Sequence, residues 1–225
     1  MSRASAGLAL ASAAAFAALA ALVGHGSLTS IDQWTVRHAM PGAHFTGKPT
    51  LADALIPFWG EWWHNGVSVA MNVLTAPAEF LVATAVIAIA CWKLRGRAGA
   101  ALAGAYVAGN VVEEIVKSTL TRPPLHAGAH DVAAFTNSYP SGHTIRIVLL
   151  AAAVGTAWPK LRLPAAAWAA AAVVFLVLGG WHVPSDIVGG LLLSAALLAT
   201  AWTSCFARAS RSSPSRACRP SAREP

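Results

Sequence analysis

A chain of 225 residues that is 56% hydrophobic and only 11% charged is not an ordinary water-soluble domain, since those run at about 25% charged. The net charge is +7, but the cations cluster beside apolar runs, which is the pattern of membrane loops and argues against a nucleic-acid partner. Three cysteines, Cys91, Cys205 and Cys218, are scattered without metal-ligand spacing and imply no disulfide framework.

A membrane-crossing helix needs about 20 mostly apolar residues, and six runs qualify as candidates: residues 6–23, 67–91, 99–119, 143–158, 164–180 and 185–206. The expected fold class is all-α, a bundle of six transmembrane helices in one membrane domain over residues 1–207. A basic, Ser/Pro-rich tail over 208–225 is expected to be disordered and to lie near anionic headgroups. The first run is short, Ala-rich and preceded by Arg3, so it reads either as a signal peptide or as an uncleaved first helix, with the helix preferred. Ala and Gly recur through the spans and suit close helix packing in lipid.

Between the first two spans lies a long loop with Trp34, Trp59, Trp62 and Trp63, a residue type that favours the membrane boundary. Within it, SLTSIDQWTVRHAM suggests an interfacial helix capped by Ser30 or Asp32. It reads as an anchor, or alternatively as a lid over a headgroup site.

Orientation follows from Lys and Arg. In a six-span chain eleven of them fall on one side: Arg3, Lys93, Arg95, Arg97, Lys160, Arg162 and the five arginines of the tail. Five fall on the other: Arg37, Lys48, Lys117, Arg122 and Arg146. The positive-inside rule then places both termini in the cytoplasm of a cell that carries the protein in its inner or plasma membrane.

Three polar islands fall on the outer side of that arrangement: EEIVKSTLTRPPL (residues 113–125), SYPSGHTIR (138–146) and GWHVPSDIVGG (180–190). Glu113 and Lys117 are spaced to pair on one helix face. Pro140 suits a helix start, and Ser141 and Gly142 would then present backbone N–H groups to an anion, with Gly142 allowing close approach. Lys117 and Arg122 add positive charge. His143 can exchange a proton near neutral pH. His182 precedes Asp186 by four residues, so the carboxylate can hold one ring nitrogen and leave the other to attack. Arg146 shares a helix face with His143 and needs a partner inside a membrane helix. A bound phosphate, Glu79, Glu113 and Glu114 are the candidates.

YPSGH and WHVPSD, with KSTLTRP upstream, resemble the type 2 phosphatidic acid phosphatase (PAP2) family, which shares its site with vanadium haloperoxidases. The resemblance implies a PAP2-like lipid-phosphate phosphatase needing no metal cofactor. In it His182 is the nucleophile, Asp186 orients it and His143 protonates the leaving group. Lys117, Ser141 and Gly142 bind phosphoryl oxygens, with Arg122 and Arg146 as further phosphate ligands. Phosphatidate, polyprenyl diphosphate and phosphatidylglycerol phosphate are the expected substrates. The sequence departs from the family at two points: Pro124 and Leu176 stand where arginines are usual, and Arg122 and Arg146 are expected to supply the missing charge. A phosphotransferase using the same intermediate and a non-catalytic lipid-phosphate binder remain the alternatives.

Overall fold

The computed structural model describes residues 3–40, 73–127 and 130–206. Trp59, Trp62, Trp63, Lys48, the first part of the second expected span and the 208–225 tail lie outside them. Two segments form the N-terminal part, α1 (Arg3–Gly24) and α2 (Thr29–His38). The rest comprises α3 (Phe80–Leu94), α4 (Gly96–Thr119), α5 (Gly142–Ala157), α6 (Arg162–Leu178) and α7 (Pro184–Phe206). All but α2 coincide with the six apolar runs. The second run is interrupted within its described part: a 3-10 turn over Ala76–Ala78, carrying Pro77, and an extended Glu79 separate helical residues 73–75 from α3. Proline has no N–H to continue a helix.

At the centre of the bundle, α5 packs on α3, α4, α6 and α7, while α1 lies along α7. Ile145, Leu149, Leu150 and Ala153 of α5 join Ala83 and Ile87 of α3, Ala105 and Tyr106 of α4 and Leu193 of α7 in the main core. The outer surface is apolar as well. Leu10, Trp92 and Leu163 are 73%, 73% and 81% exposed, which is intelligible for side chains that face hydrocarbon and not water. Among the described residues, Ala4–Gly24, Pro159–Leu178 and Pro184–Thr203 are long and apolar enough to cross a membrane, and α3 and α5 are shorter apolar helices. The protein is an all-α membrane protein.

Two local features aim the polar islands at one end of the bundle. Gly180, at φ 73°, reverses the chain after α6: its N–H and that of Trp181 donate back to Val177 and Leu176 carbonyls at 2.9 and 3.0 Å, a glycine-based helix stop. Four residues later Pro184 opens α7 at the position where its missing N–H costs nothing. At α5, Ser141 is the N-cap and its hydroxyl accepts from Thr144 N at 3.2 Å. Pro140 therefore lies just ahead of the cap, outside the helical turn that the sequence suggested for it.

No side chain caps α2, whose N-cap is Leu28. Ser30 and Asp32 lie inside the helix instead. Its outer face exposes Ile31 and Trp34. Its inner face packs Val36, and beyond it Met40, against Leu125, Val132, Phe135 and Val183. Gln33 exchanges two hydrogen bonds with the His126 backbone, at 2.7 and 2.8 Å.

Candidate active site

His143 and His182 come from different helix ends and meet, with ring centroids 5.9 Å apart. His182 Nδ1 lies 3.3 Å from Asp186 Oδ2, the contact that the i, i+4 spacing suggested. Asp186 is fully buried, and its Oδ2 also accepts from Ser138 Oγ at 2.6 Å. Burial lowers the His182 pKa, and the hydrogen bond and charge of Asp186 only partly offset this. The imidazole is thus held neutral, with Nδ1 tied to the carboxylate. On the other side, His143 Nε2 lies 3.3 Å from Glu79 Oε1. Glu79 is in reach because the chain is extended there, between the 3-10 turn and α3.

The cations are all brought to this end, and each meets a carboxylate of the protein. Lys117 Nζ donates to Glu113 Oε1 at 2.5 Å, confirming the spacing argument. Arg146 Nη1 donates to Glu113 Oε2 and Asn110 Oδ1, both at 3.0 Å, and its Nε to the Ala78 carbonyl at 2.9 Å. Glu113 is thus the acidic partner of Arg146, while Glu79 serves His143. Arg122 is buried; its Nη1 donates to Asp32 Oδ2 at 3.0 Å, and its Nη2 to Ser185 Oγ at 3.2 Å and to Asp186 Oδ1. Its Nε is buried without a hydrogen-bond partner. Although Arg122 stands two residues before Pro124, the loop carries it into the site.

Ser141 and Gly142 sit where the sequence places them, at the start of α5, but their surroundings are more crowded than expected. The Ser141 amide donates to the Asp186 carbonyl at 3.0 Å, and its hydroxyl accepts from Thr144. That amide is therefore not one of the free donors foreseen for an anion. Close approach at Gly142 is real, but the group that approaches is the Glu113 carboxylate, which a Cβ would overlap. Gly189 and Gly190 of α7 similarly make room for the Tyr139 ring and for Thr144. The Tyr139 hydroxyl donates to the Phe16 carbonyl of α1 at 3.2 Å, and burial, with the Asp186 charge, raises its pKa.

Leu176 is wholly buried among Ala78, Ile147, Ala172 and Ile187, in an apolar layer between α5, α6 and α7. Four polar members of the site were not assigned from the sequence: Asp32, Asn110, Ser138 and Ser185. Asp32 looked like a helix cap, and only the docking of α2 reveals its partners. Burial is the largest influence on the Asp32 carboxyl and raises its pKa, while Ser185 and Arg122 pull it down.

The sequence profile of the PAP2 superfamily matches residues 98–210, just over half of the chain and all three polar islands. No curated protein matches the sequence. Among solved structures, the first transmembrane PAP2 type phosphatidylglycerolphosphate phosphatase from Bacillus subtilis is similar, with a TM-score of 0.54 and 15% identity over 88% of this chain and 97% of that one. At that identity the likeness speaks for the fold. The profile and the paired histidines lead to one assignment: the chain belongs to the PAP2 superfamily, as a membrane phosphatase of the hydrolase class.

Proposed function

We propose that the protein removes phosphate from a membrane lipid phosphate through a phosphohistidine on His182. The observation that carries this reading is the facing pair His143 and His182, with Asp186 behind one ring and Glu79 behind the other. His182 Nε2 attacks phosphorus as the bond to the ester oxygen breaks, and His143 gives that oxygen a proton. Water then attacks the phosphohistidine, His143 takes a proton from it, and the P–N bond breaks to release inorganic phosphate. Asp186, accepting from Nδ1, holds the tautomer and supports the positive charge that forms on the ring.

Lys117, Arg146 and the first-turn amides at Gly142 are proposed to bind the phosphoryl oxygens, while Arg122, expected from the sequence to join them, has its terminal nitrogens on Asp32, Ser185 and Asp186. Lys117 and Arg146 grip Glu113, so a phosphoryl group would take over contacts that this carboxylate makes. Preorganised donors of this kind supply much of the rate enhancement in phosphoryl transfer. Both termini are proposed to be cytoplasmic and the site to open on the outer face, from the cation distribution.

Phosphate release by the purified protein tests the reading. The panel should hold phosphatidylglycerol phosphate (the similar Bacillus protein is described as a phosphatase for it), phosphatidate and a polyprenyl diphosphate. Turnover of at least one, lost in His182→Ala, with acid-labile label trapped on the wild-type protein, is the expected result. No release from any of the three, or full turnover by His182→Ala, would remove it.

A further inference from the structure

Asp32 reaches the site from α2, an element that supplies none of the reacting groups. Its Oδ2 accepts from Arg122 Nη1 at 3.0 Å and from Ser185 Oγ at 2.6 Å, and its Oδ1 from Ser185 N at 3.2 Å. Arg122 uses its other terminal nitrogen on Asp186, whose second oxygen faces His182 Nδ1. The four side chains form a line: Asp32, Arg122, Asp186, His182. Every member is more than nine-tenths buried.

We propose that Asp32 is a positioning residue for the nucleophile: by sharing the Arg122 charge it sets how strongly Asp186 holds and polarises His182. This rests on the reading of His182 as the attacking group. A guanidinium is a rigid planar fork, so holding one prong on Asp32 fixes the direction of the other toward Asp186. Charge matters as much as direction. One arginine between two carboxylates leaves a net negative charge beside His182, which favours the positive ring formed when Nε2 bonds to phosphorus. With Asp32 neutral, Arg122 would belong wholly to Asp186 and would blunt its pull on Nδ1–H.

Docking α2 does not by itself require this residue. The helix is already held by the Gln33 bonds to His126 and by the apolar contacts of Val36. Burying a carboxylate beneath it is costly unless it is fully paired. The groups facing His182 are Asp186 in the first turn of α7, His143 on α5 and Lys117 on α4. Glu79 and Glu113 act behind the last two, and Arg122 behind Asp186.

The test uses the full chain in detergent, with ¹⁵N-labelled histidine rings and with His182 assigned by its absence in His182→Gln. Asp32→Asn keeps the shape but removes the charge. It should lower the His182 pKa by roughly half a unit or more and reduce kcat on short-chain phosphatidate about tenfold, with KM little changed. Asp32→Glu should recover part of both. Gln33→Ala loosens α2 without touching Arg122, and should lower the melting temperature while leaving the titration in place. An unchanged His182 titration in folded Asp32→Asn overturns the proposal. So does the same shift in Gln33→Ala, because Asp32 would then act only through docking. Should the asparagine variant not fold, Asp32→Glu carries the measurement: a partial shift supports the proposal and a wild-type titration overturns it. A wild-type protein that releases no phosphate would remove the functional reading, while the titration would still decide the role of Asp32.

Discussion

The Glu113 carboxylate lies against the α-carbon of Gly142, in the space that any side chain at residue 142 would fill. It is held there by Lys117 and Arg146. A protein carboxylate thus occupies the start of α5, where a helix N-terminus and two cations would otherwise favour a phosphate. An entering phosphoryl group must compete with it for the same donors.

Removing that competitor should tighten anion binding. Glu113→Gln is expected to lower the inhibition constant of inorganic phosphate about tenfold, near the lower end of what a charge-assisted contact contributes. The melting temperature should fall because two cations lose their partner. Inhibition measured beside a thermal melt checks this. An unchanged inhibition constant with a lower melt would make Glu113 a structural counter-ion alone.

Arg146 has both roles at stake. Breaking its buried pair with Glu113 should destabilise the fold by about 3 kcal/mol. Loss of a phosphate contact should cut turnover per folded molecule roughly 10- to 150-fold in Arg146→Ala. Arg146→Lys should regain only part, having lost the fork. Adding Leu176→Arg is expected to give no rescue, since Leu176 is sealed in an apolar layer. Lost stability with normal specific turnover would remove Arg146 from the phosphate site.

The two histidines should respond differently to the leaving group. His182→Ala should abolish turnover with any substrate. His143→Ala should cost roughly 10²- to 10⁴-fold on a lipid phosphate, but far less on p-nitrophenyl phosphate, whose leaving oxygen needs no proton. Asp186→Asn should depress turnover with both. Parallel assays decide it: equal losses of His143→Ala on the two substrates would take away its role as proton donor.

Activity should persist into mildly acid solution. The His182 pKa is lowered by burial, so the neutral nucleophile survives to lower pH than a free imidazole with a pKa near 6.5. The acid limb of kcat/KM should therefore lie below about pH 6.5, with activity lost as pH falls through it. Stability should follow the same sign: the buried neutral ring contributes above the unfolded pKa and is undermined as pH drops through the folded one. Asp186→Asn removes the offsetting hydrogen bond and charge, and should move the limb lower still. A limb above the ordinary imidazole value would contradict this environment for His182.

Topology is accessible to single cysteines in a background without the native ones. Sites near Lys93 and Ser212 should be shielded from an impermeant thiol reagent in intact cells, and a site near Ala127 should react. Labelling from outside at both Lys93 and Ala127 would be incompatible with six crossings.

The sequence by itself determined the helical bundle, because a run of apolar residues long enough to cross a bilayer can satisfy its backbone only as a helix. It also determined the Glu113–Lys117 pair, whose spacing on one helix makes contact a matter of local geometry, and the His182–Asp186 pair, whose two members flank the start of α7 only four residues apart. The candidate histidines were legible because YPSGH and WHVPSD are short, contiguous patterns. Only the tertiary structure decided who neutralises the arginines. Arg146 had four candidate partners in sequence, and the packing of α4 on α5 selected Glu113. Arg122 and Asp32 are far apart in the chain, and no periodicity links a loop arginine to a helix that looked like a surface anchor. Their meeting depends on α2 docking over the end of the bundle. Long-range ion pairs follow from how elements pack, and charge sequence alone does not encode that.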